Sequence, residues 1–449
     1  MGKLFGTDGI RGVANTAPLT AEMALAIGRA TAHICKRHDN RHRIVIGKDT
    51  RLSGYMIENA LTAGICSMGV DVLLVGPMPT PGIAFTTHSM RADAGMVISA
   101  SHNPYQDNGI KIFSRDGYKL SDKLEEEVES LVSTGRINDI RPTAENVGKA
   151  HRIDDAIGRY IVFCKNTFPD DVTLDGIKLV LDCANGATYK VAPIIFSELG
   201  AQVIAIHNEP DGKNINENCG SQHTGDLMKK VREVGADAGL AFDGDGDRLI
   251  AVDENGQELS GDHIIAVCAK ALKERGELKK NLVVVTAMSN FGLRVAFDKM
   301  HIHYKDADVG DRNVLEMMVK YGAVLGGEQS GHIIFRNHHT TGDGIISALQ
   351  LLAVMKQGGS KMSDLSRAIT LMPQRLVNIV VKDKPPVEGL APVQEAIQAA
   401  EKTLGRNGRV LVRYSGTQLL CRVMVEGPTR KITDRLADSI VRAVRKAIA

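Results

Sequence analysis

Three apolar, β-branched runs recur along the chain, at "RIVIGKDTR" (43–51), "GIKLVLDCANG" (176–186) and "NLVVVTAMSN" (281–290). Each gives way to apolar residues at helical spacing, as in "YMIENALTAGICSMG" and "YKVAPIIFSELG", the pattern of an amphipathic helix laid on a sheet. Second strands are predicted at "VDVLLVG" (70–76), "AQVIAIH" (201–207) and, more weakly, "HIHYKDA" (301–307). Third strands follow another helical stretch. There two copies read almost alike, "ADAGMVISAS" (92–101) and "ADAGLAFDGD" (236–245), and "YGAVLGGEQSG" (321–331) has the same form more faintly. Strands alternating with helices in this way predict parallel-rich sheets with right-handed crossovers. Past residue 370 the texture changes: "RVLVRYSGTQLLCRVMVEG" (409–427) reads as two strands around a Ser-Gly-Thr turn with a helix after them, and "VKDKPPVEG" (381–389) lies near the start of that region.

The expected fold class is therefore α/β: three tandem related α/β domains with parallel-rich sheets, then a smaller C-terminal α+β domain. The boundaries fall at 1–150, 151–255, 256–370 and 371–449. A chain of 449 residues is in any case too long for one core.

Composition narrows the function classes. Apolar residues at 43% and charged residues at 24% describe a soluble globular protein. Lys+Arg 55 against Asp+Glu 53 gives a net charge of +2, so no global field recruits nucleic acid or an anionic membrane. Arg435, Arg442, Arg445 and Lys446 lie on a helical pattern and read as a solvated face. The 7 cysteines are odd in number and form no CxxC pair, which favours reduced thiols over a disulfide framework or a zinc site. No N-terminal apolar segment or membrane-length run is visible. The expectation is a cytoplasmic protein with neither nucleic acid nor membrane as partner.

In open α/β sheets ligands bind at the carboxyl ends of the strands, so the repeat nominates the three loops that follow the third strands. The loop "DGDGDR" (243–248) places Asp243, Asp245 and Asp247 one residue apart. In an extended segment these would project to one side and converge on a hard cation such as magnesium, with Arg248 left for a phosphate. An EF-hand is excluded, because its sixth position needs glycine and here holds Arg248, and "LIAV" (249–252) reads as a strand. A solvated acidic turn is the plain alternative.

The loop "SASHNP" (99–104) offers Ser101 and His102, with Lys111 further on. It lacks the GxSxG elbow of a hydrolase and could be an ordinary polar turn. What raises Ser101 is that it aligns with Asp245 in the repeat, so that a phosphorylated serine would face a metal held by carboxylates. The loop "GGEQSGH" supplies Glu328, Ser330 and His332, a set suited to sugar hydroxyls, against the alternative of a glycine-rich turn. His301, His303, His338 and His339 lack zinc-ligand spacing. "RYSGT" (413–417) gathers Arg413, Ser415, Gly416 and Thr417 into an anion-binding turn. Neither a Walker motif nor GxGxxG is present, which argues against nucleotide-driven chemistry.

Taken in order, "GTDGIRG" (6–12), "SASHNP", "DGDGDR", "GEQSGH" (327–332) and "RYSGT" resemble the motifs of the α-D-phosphohexomutase superfamily over essentially the whole chain. The resemblance implies four domains around a central cleft, a cytoplasmic enzyme and a homodimer. It implies Ser101 as the phosphoserine that donates and recovers a phosphoryl group. Asp243, Asp245, Asp247 and the serine oxygen would be the Mg2+ ligands. Glu328 and Ser330 would contact the sugar, and Arg413, Ser415, Gly416 and Thr417 would clamp the phosphate that is not reacting. Arg11, Lys111 and Arg248 would be the cationic and proton-handling groups, with His102 and His332 in support.

The "GEQSGH" loop looks like that of members acting on glucosamine phosphates. The implied reaction is glucosamine 6-phosphate to glucosamine 1-phosphate, primed by glucosamine 1,6-bisphosphate or glucose 1,6-bisphosphate and feeding UDP-N-acetylglucosamine synthesis. The same chemistry on glucose or mannose phosphates, or a metal-dependent sugar phosphatase, are the rival expectations. One departure is notable: the clamp usually continues Glu-Pro, whereas here it reads Gln418-Leu419, and proline's fixed φ is lost.

Overall fold

Three sheets follow one plan in the computed structural model, which describes residues 4–6, 8–36, 42–140, 142–415 and 419–448. The first holds β1 (Ile10–Val13), β2 (Arg43–Lys48), β3 (Asp71–Pro77), β4 (Ala94–Ile98), β5 (Asp107–Ser114) and β6 (Ala150–Arg152), in the order β1-β5-β4-β2-β3-β6. The second holds β7 (Lys178–Asp182), β8 (Gln202–Ile206), β9 (Ala238–Phe242), β10 (Leu249–Asp253) and β11 (Glu258–Leu259), in the order β11-β10-β9-β7-β8. The third holds β12 (Leu282–Thr286), β13 (His303–Ala307), β14 (Leu325–Gly327) and β15 (Ile333–Phe335), in the order β13-β12-β14-β15.

In each sheet the opening strand of the repeat (β2, β7 or β12) pairs in parallel with the next two, one on either side. The third strand (β4, β9 or β14) then turns back into an antiparallel partner. The loops nominated from sequence are thus one hairpin connection made three times. Opening strands such as β2 and β7 are apolar and buried along nearly their whole length, as strands covered on both faces must be.

A fourth sheet is wholly antiparallel, with β16 (Gln374–Val380), β17 (Arg409–Tyr414) and β18 (Leu420–Glu426) in the order β16-β18-β17. Strand β16 was not foreseen. It is an edge strand with Leu376 and Val380 exposed, so its apolar residues do not mark one buried face. Helices Ala391–Leu404 and Arg430–Ile448 cover this sheet, and Arg435, Arg442, Arg445 and Lys446 lie exposed on the second.

The chain packs as two units, Met1–Met288 with Ile302–Arg367 and Ser289–His301 with Ala368–Ala449. Within the second unit, buried Glu426 accepts from Arg409 Nε at 2.5 Å and from Phe291 N at 3.2 Å, tying the helix Phe291–Lys299 to β18. No disulfide joins any of the described cysteines. No described helix is long and apolar enough to cross a membrane.

Within the first unit the apolar helix Gly344–Gly358 is almost entirely buried. Its N-cap, Asp343, accepts from the amides of Ile345 and Ile346 and from the Tyr160 hydroxyl at 2.8 Å. Tyr160 stands in the middle of the helix Ala156–Lys165, so one carboxylate joins two helices far apart in sequence. Burial pushes the Asp343 carboxyl up to about 6 against the hydrogen bonds it accepts. Tyr160→Phe leaves one buried carboxylate oxygen without that donor. The variant is expected to lose about 1–3 kcal/mol of stability in urea unfolding, with unchanged far-UV circular dichroism.

Candidate active site

Ser101 sits just past β4 with φ +53°, a left-handed conformation uncommon for serine. A buried network holds it there. Ser101 N donates to Ser99 Oγ at 2.9 Å, and Ser99 Oγ donates to Asp49 Oδ2 at 2.6 Å. Arg51 is fully buried and pairs with Asp49 at 3.0 Å. Its guanidinium donates to the carbonyls of Ser101, Asn103 and Pro104 at 2.9 to 3.0 Å. From the loop after β8, Asn216 Nδ2 donates to the carbonyls of Ser101 and Asn103 at 2.9 and 3.0 Å. A rigid fork of donors suits this convergence of carbonyls.

The three aspartates come together differently from the extended geometry expected of them. Residues 243–248 form a tight turn, with Gly246 N donating to Asp243 O at 3.0 Å and Gly246 at φ +71°. The turn, not strand alternation, brings one oxygen of each carboxylate within 4.8 Å of the others. Nor is it a solvated turn: Asp243, Asp245 and Asp247 are 0%, 1% and 5% exposed. Gly244 lets this turn touch the serine loop, since a Cβ there would lie 2.6 Å from the Ser101 carbonyl oxygen.

Ser101 Oγ donates to Asp243 Oδ2 at 2.6 Å, which puts the hydroxyl and the carboxylates in one place. Asp243 Oδ1 accepts from Arg248 N at 3.1 Å. Asp245 Oδ2 accepts from Thr80 Oγ1 at 2.7 Å and from Lys111 Nζ at 2.9 Å. Lys111 Nζ also lies 3.3 Å from Asp8 Oδ2 and 3.7 Å from Asp247 Oδ2. Burial opposes its charge, but the carboxylates of Asp245, Asp8 and Asp247 outweigh burial and hold Lys111 as an ammonium. Burial, reinforced by the charges of Asp247 and Asp245, drives the Asp243 carboxyl well above the usual carboxylate range. Asp245 goes the other way, because Lys111 and the Thr80 hydroxyl overcome its burial.

Two buried oxygens of this set, Asp245 Oδ1 and Asp247 Oδ1, accept no hydrogen bond. Buried carboxylate oxygens without partners, beside a third carboxyl driven toward protonation, are a donor set suited to a hard divalent cation.

Of the other residues expected from sequence, His102, Arg11, Arg248 and His332 lie around this centre. His102 Nδ1 is 3.3 Å from Ser101 Oγ. Burial, together with Arg248 and Arg11, pushes its imidazole down to about 4, so the ring is neutral. Arg11 donates to Ala100 O at 3.4 Å and pairs with Asp8. Arg248 pairs through its backbone with His332, joining the second and third hairpin loops. His332 Nε2 lies 3.7 Å from Asp311 Oδ2 and 3.9 Å from Asp247 Oδ2. Glu328 Oε1 accepts from Gly310 N at 3.0 Å, and Ser330 is half-buried in the same loop.

Arg413 and Ser415 belong to the second unit, at the end of β17 and just beyond it, where Lys384 Nζ donates to Ser415 O at 2.7 Å. Gly416 and Thr417 lie outside the described residues, as does Gln418.

Several residues at the centre carried little local signal in the sequence. Asp8, Asp49 and Arg51 fall inside runs singled out for other reasons, "GTDGIRG" and "RIVIGKDTR". Lys119, which pairs with both Asp8 and Asp311, and Thr80 and Asn216 come from separate segments and meet only in the fold.

Fold and site together define a multidomain α/β protein whose buried centre of carboxylates, cations and one hydroxyl suits phosphoryl transfer. Family models agree with that class. Those for phosphoglucomutase/phosphomannomutase α/β/α domains I, II and III match residues 2–138, 159–256 and 260–371, and the one for the C-terminal domain matches 376–443. The chain belongs to the phosphoglucomutase/phosphomannomutase family.

Among curated relatives, it is 59% identical to a phosphoglucosamine mutase of Syntrophobacter fumaroxidans, with 100% of both chains covered. It is 57% identical to the phosphoglucosamine mutase of Syntrophus aciditrophicus, again with 100% of each chain covered. Among solved structures, a phosphoglucomutase/phosphomannomutase family protein from Burkholderia thailandensis superposes with a TM-score of 0.82 at 24% identity, covering 99% of this chain and 97% of that one. Aspergillus fumigatus N-acetylphosphoglucosamine mutase, in complex with GlcNAc-6P and magnesium, gives 0.68 at 17% identity, covering 99% and 96%.

The brace under Ser101 is open to test. Arg51→Met leaves the buried Asp49 charge unpaired and is expected to cost about 3–5 kcal/mol in urea unfolding. Arg51→Lys restores the charge without the fork and should recover part of that loss. A methionine variant as stable as the native protein would contradict the brace.

Proposed function

We propose that this chain interconverts glucosamine 6-phosphate and glucosamine 1-phosphate through a phosphorylated Ser101 and a sugar 1,6-bisphosphate. The observation that carries the reading is the Ser101 hydroxyl bonded to one of three buried, converging carboxylates. The substrate follows from the phosphoglucosamine mutases it matches along their whole length.

In the first half-reaction the sugar O1 hydroxyl attacks the phosphorus carried by Ser101. The bond from phosphorus to Oγ breaks and Oγ takes a proton, while the bond to O1 forms and the O1 proton leaves to a base. The resulting 1,6-bisphosphate turns end for end. Ser101 Oγ then attacks the phosphorus at the 6-position, the bond to O6 breaks, and O6 takes a proton as the serine loses one. The enzyme returns to its phosphorylated state, and a bisphosphate is needed only as primer. The neutral His102 ring, with Nδ1 3.3 Å from Ser101 Oγ, is assigned the serine proton.

Asp243, Asp245 and Asp247, with the serine oxygen, would hold a magnesium ion, which when bound neutralises charge on the transferring group. Lys111, Arg248 and Arg11 add positive charge that is already desolvated and oriented. Arg413, Ser415, Gly416 and Thr417 are assigned the phosphate that is not reacting, with Lys384 beside Ser415. Glu328, Ser330 and His332 are assigned the sugar.

Phosphorus NMR of the purified protein with magnesium and a trace of sugar bisphosphate checks this. Glucosamine 6-phosphate is expected to give the 1-phosphate much faster than glucose 6-phosphate or mannose 6-phosphate, and Ser101→Ala is expected to reduce the signal to background. Free phosphate in place of the 1-phosphate would overturn the mutase, and a faster glucose or mannose reaction would overturn the substrate.

A further inference from the structure

A second cluster of ligand-type side chains lies at the carboxyl ends of β7 and β8 in the second sheet. Asp182 ends β7, His207 follows β8 directly, and Cys219 precedes the helical turn Gly220–Gln222. One donor atom from each lies within 4.8 Å of the others. Asp182 and Cys219 are 0% and 1% exposed, and His207 is half-buried. No residue is shared with the three-aspartate centre.

Three features mark this cluster as a ligand set beyond simple proximity. The Asp182 carboxylate is fixed by backbone amides, with Ala184 N donating to Oδ1 and Gly220 N to Oδ2, both at 2.9 Å. His207 Nδ1 is buried and faces Asp182 Oδ1 at 3.1 Å, a pairing that a cation held between the two would replace. The other ring nitrogen, Nε2, lies 3.4 Å from Asp226 Oδ2. A metal-bound histidine characteristically passes its free N–H to an outer carboxylate in this way, which leaves the inner nitrogen for the ion.

We propose that Asp182, His207 and Cys219 form a second cation site, separate from the phosphoryl-transfer centre, that takes a thiophilic divalent ion such as Zn2+ or Co2+. One oxygen, one nitrogen and one sulfur are a borderline-soft set, which magnesium with its demand for oxygen does not fill. Asp226 orients the imidazole. Binding displaces the Cys219 thiol proton, so it tightens as pH rises. The loop that carries Cys219 also carries Asn216, which donates to the Ser101 carbonyl, so an ion here sits one loop away from the serine.

Titrating the reduced, metal-free, full-length protein with Co2+ at pH 8, in excess Mg2+ to fill the three-aspartate centre, tests the site. One Co2+ per chain is expected, with thiolate-to-cobalt charge-transfer absorption that Mg2+ does not remove. Cys219→Ser should abolish the absorption and His207→Ala should abolish tight binding. Asp226→Asn should weaken binding by about 10-fold or more. His207 and Asp226 are the more exposed positions, so their variants decide the matter if the buried serine substitution unfolds the chain. Absence of the absorption in the native protein, its loss to Mg2+, or its persistence at full affinity in His207→Ala would each overturn the proposal.

Discussion

Asp243, Asp245 and Asp247 place three carboxylates within 4.8 Å of one another, almost out of contact with water. If all three were ionised with nothing between them, each pair would repel by roughly 3 kcal/mol at an effective dielectric of about 20. Three such pairs approach the whole stability of a typical domain, about 5–15 kcal/mol. The surroundings are arranged to meet that repulsion. Lys111 reaches across from the first sheet to Asp245, Asp8 and Asp247, Thr80 gives its hydroxyl to Asp245, and Ser101 gives its own to Asp243. What these leave unmet, two orphaned oxygens and a carboxyl pushed toward protonation, is what a divalent cation would satisfy.

The same constraint explains why the serine loop is braced so heavily. A hydroxyl at the carboxylates is useful only if it stays there, and Ser101 stays there in a left-handed conformation. Arg51 and Asn216 hold the loop's carbonyls from the loops after β2 and β8, and glycine at 244 lets the serine and aspartate loops meet without a side chain between them. Local strain is sustained because buried hydrogen bonds over-determine the loop.

Much of this was legible in the sequence, because the repeat carries it. The near-identity of "ADAGMVISAS" and "ADAGLAFDGD" put Ser101 and Asp245 at equivalent strand ends, and strands β4 and β9 occupy those positions. The hairpin connection that makes the three loops equivalent follows from the antiparallel strands β5, β10 and β15. What could not be read was whatever depends on segments meeting. Lys119 between Asp8 and Asp311 has no local pattern, and neither has Asn216 beneath the serine. The extended geometry expected for residues 243–248 gave way to a turn because Gly246 adopts positive φ, a backbone choice that period-two spacing does not announce. The edge strand β16 escaped for the opposite reason, since its exposed apolar side chains hide the alternation that marks a half-buried strand.

The central claim is that Ser101 and the three aspartates share one cation. Electron-nuclear double resonance on the phosphorylated protein loaded with Mn2+ in place of magnesium tests it most directly. A single bound Mn2+ with strong ³¹P hyperfine coupling, abolished in Asp245→Asn, is the predicted result. Stoichiometric Mn2+ with no ³¹P coupling would contradict it, by showing that the cation and the serine phosphate occupy different places.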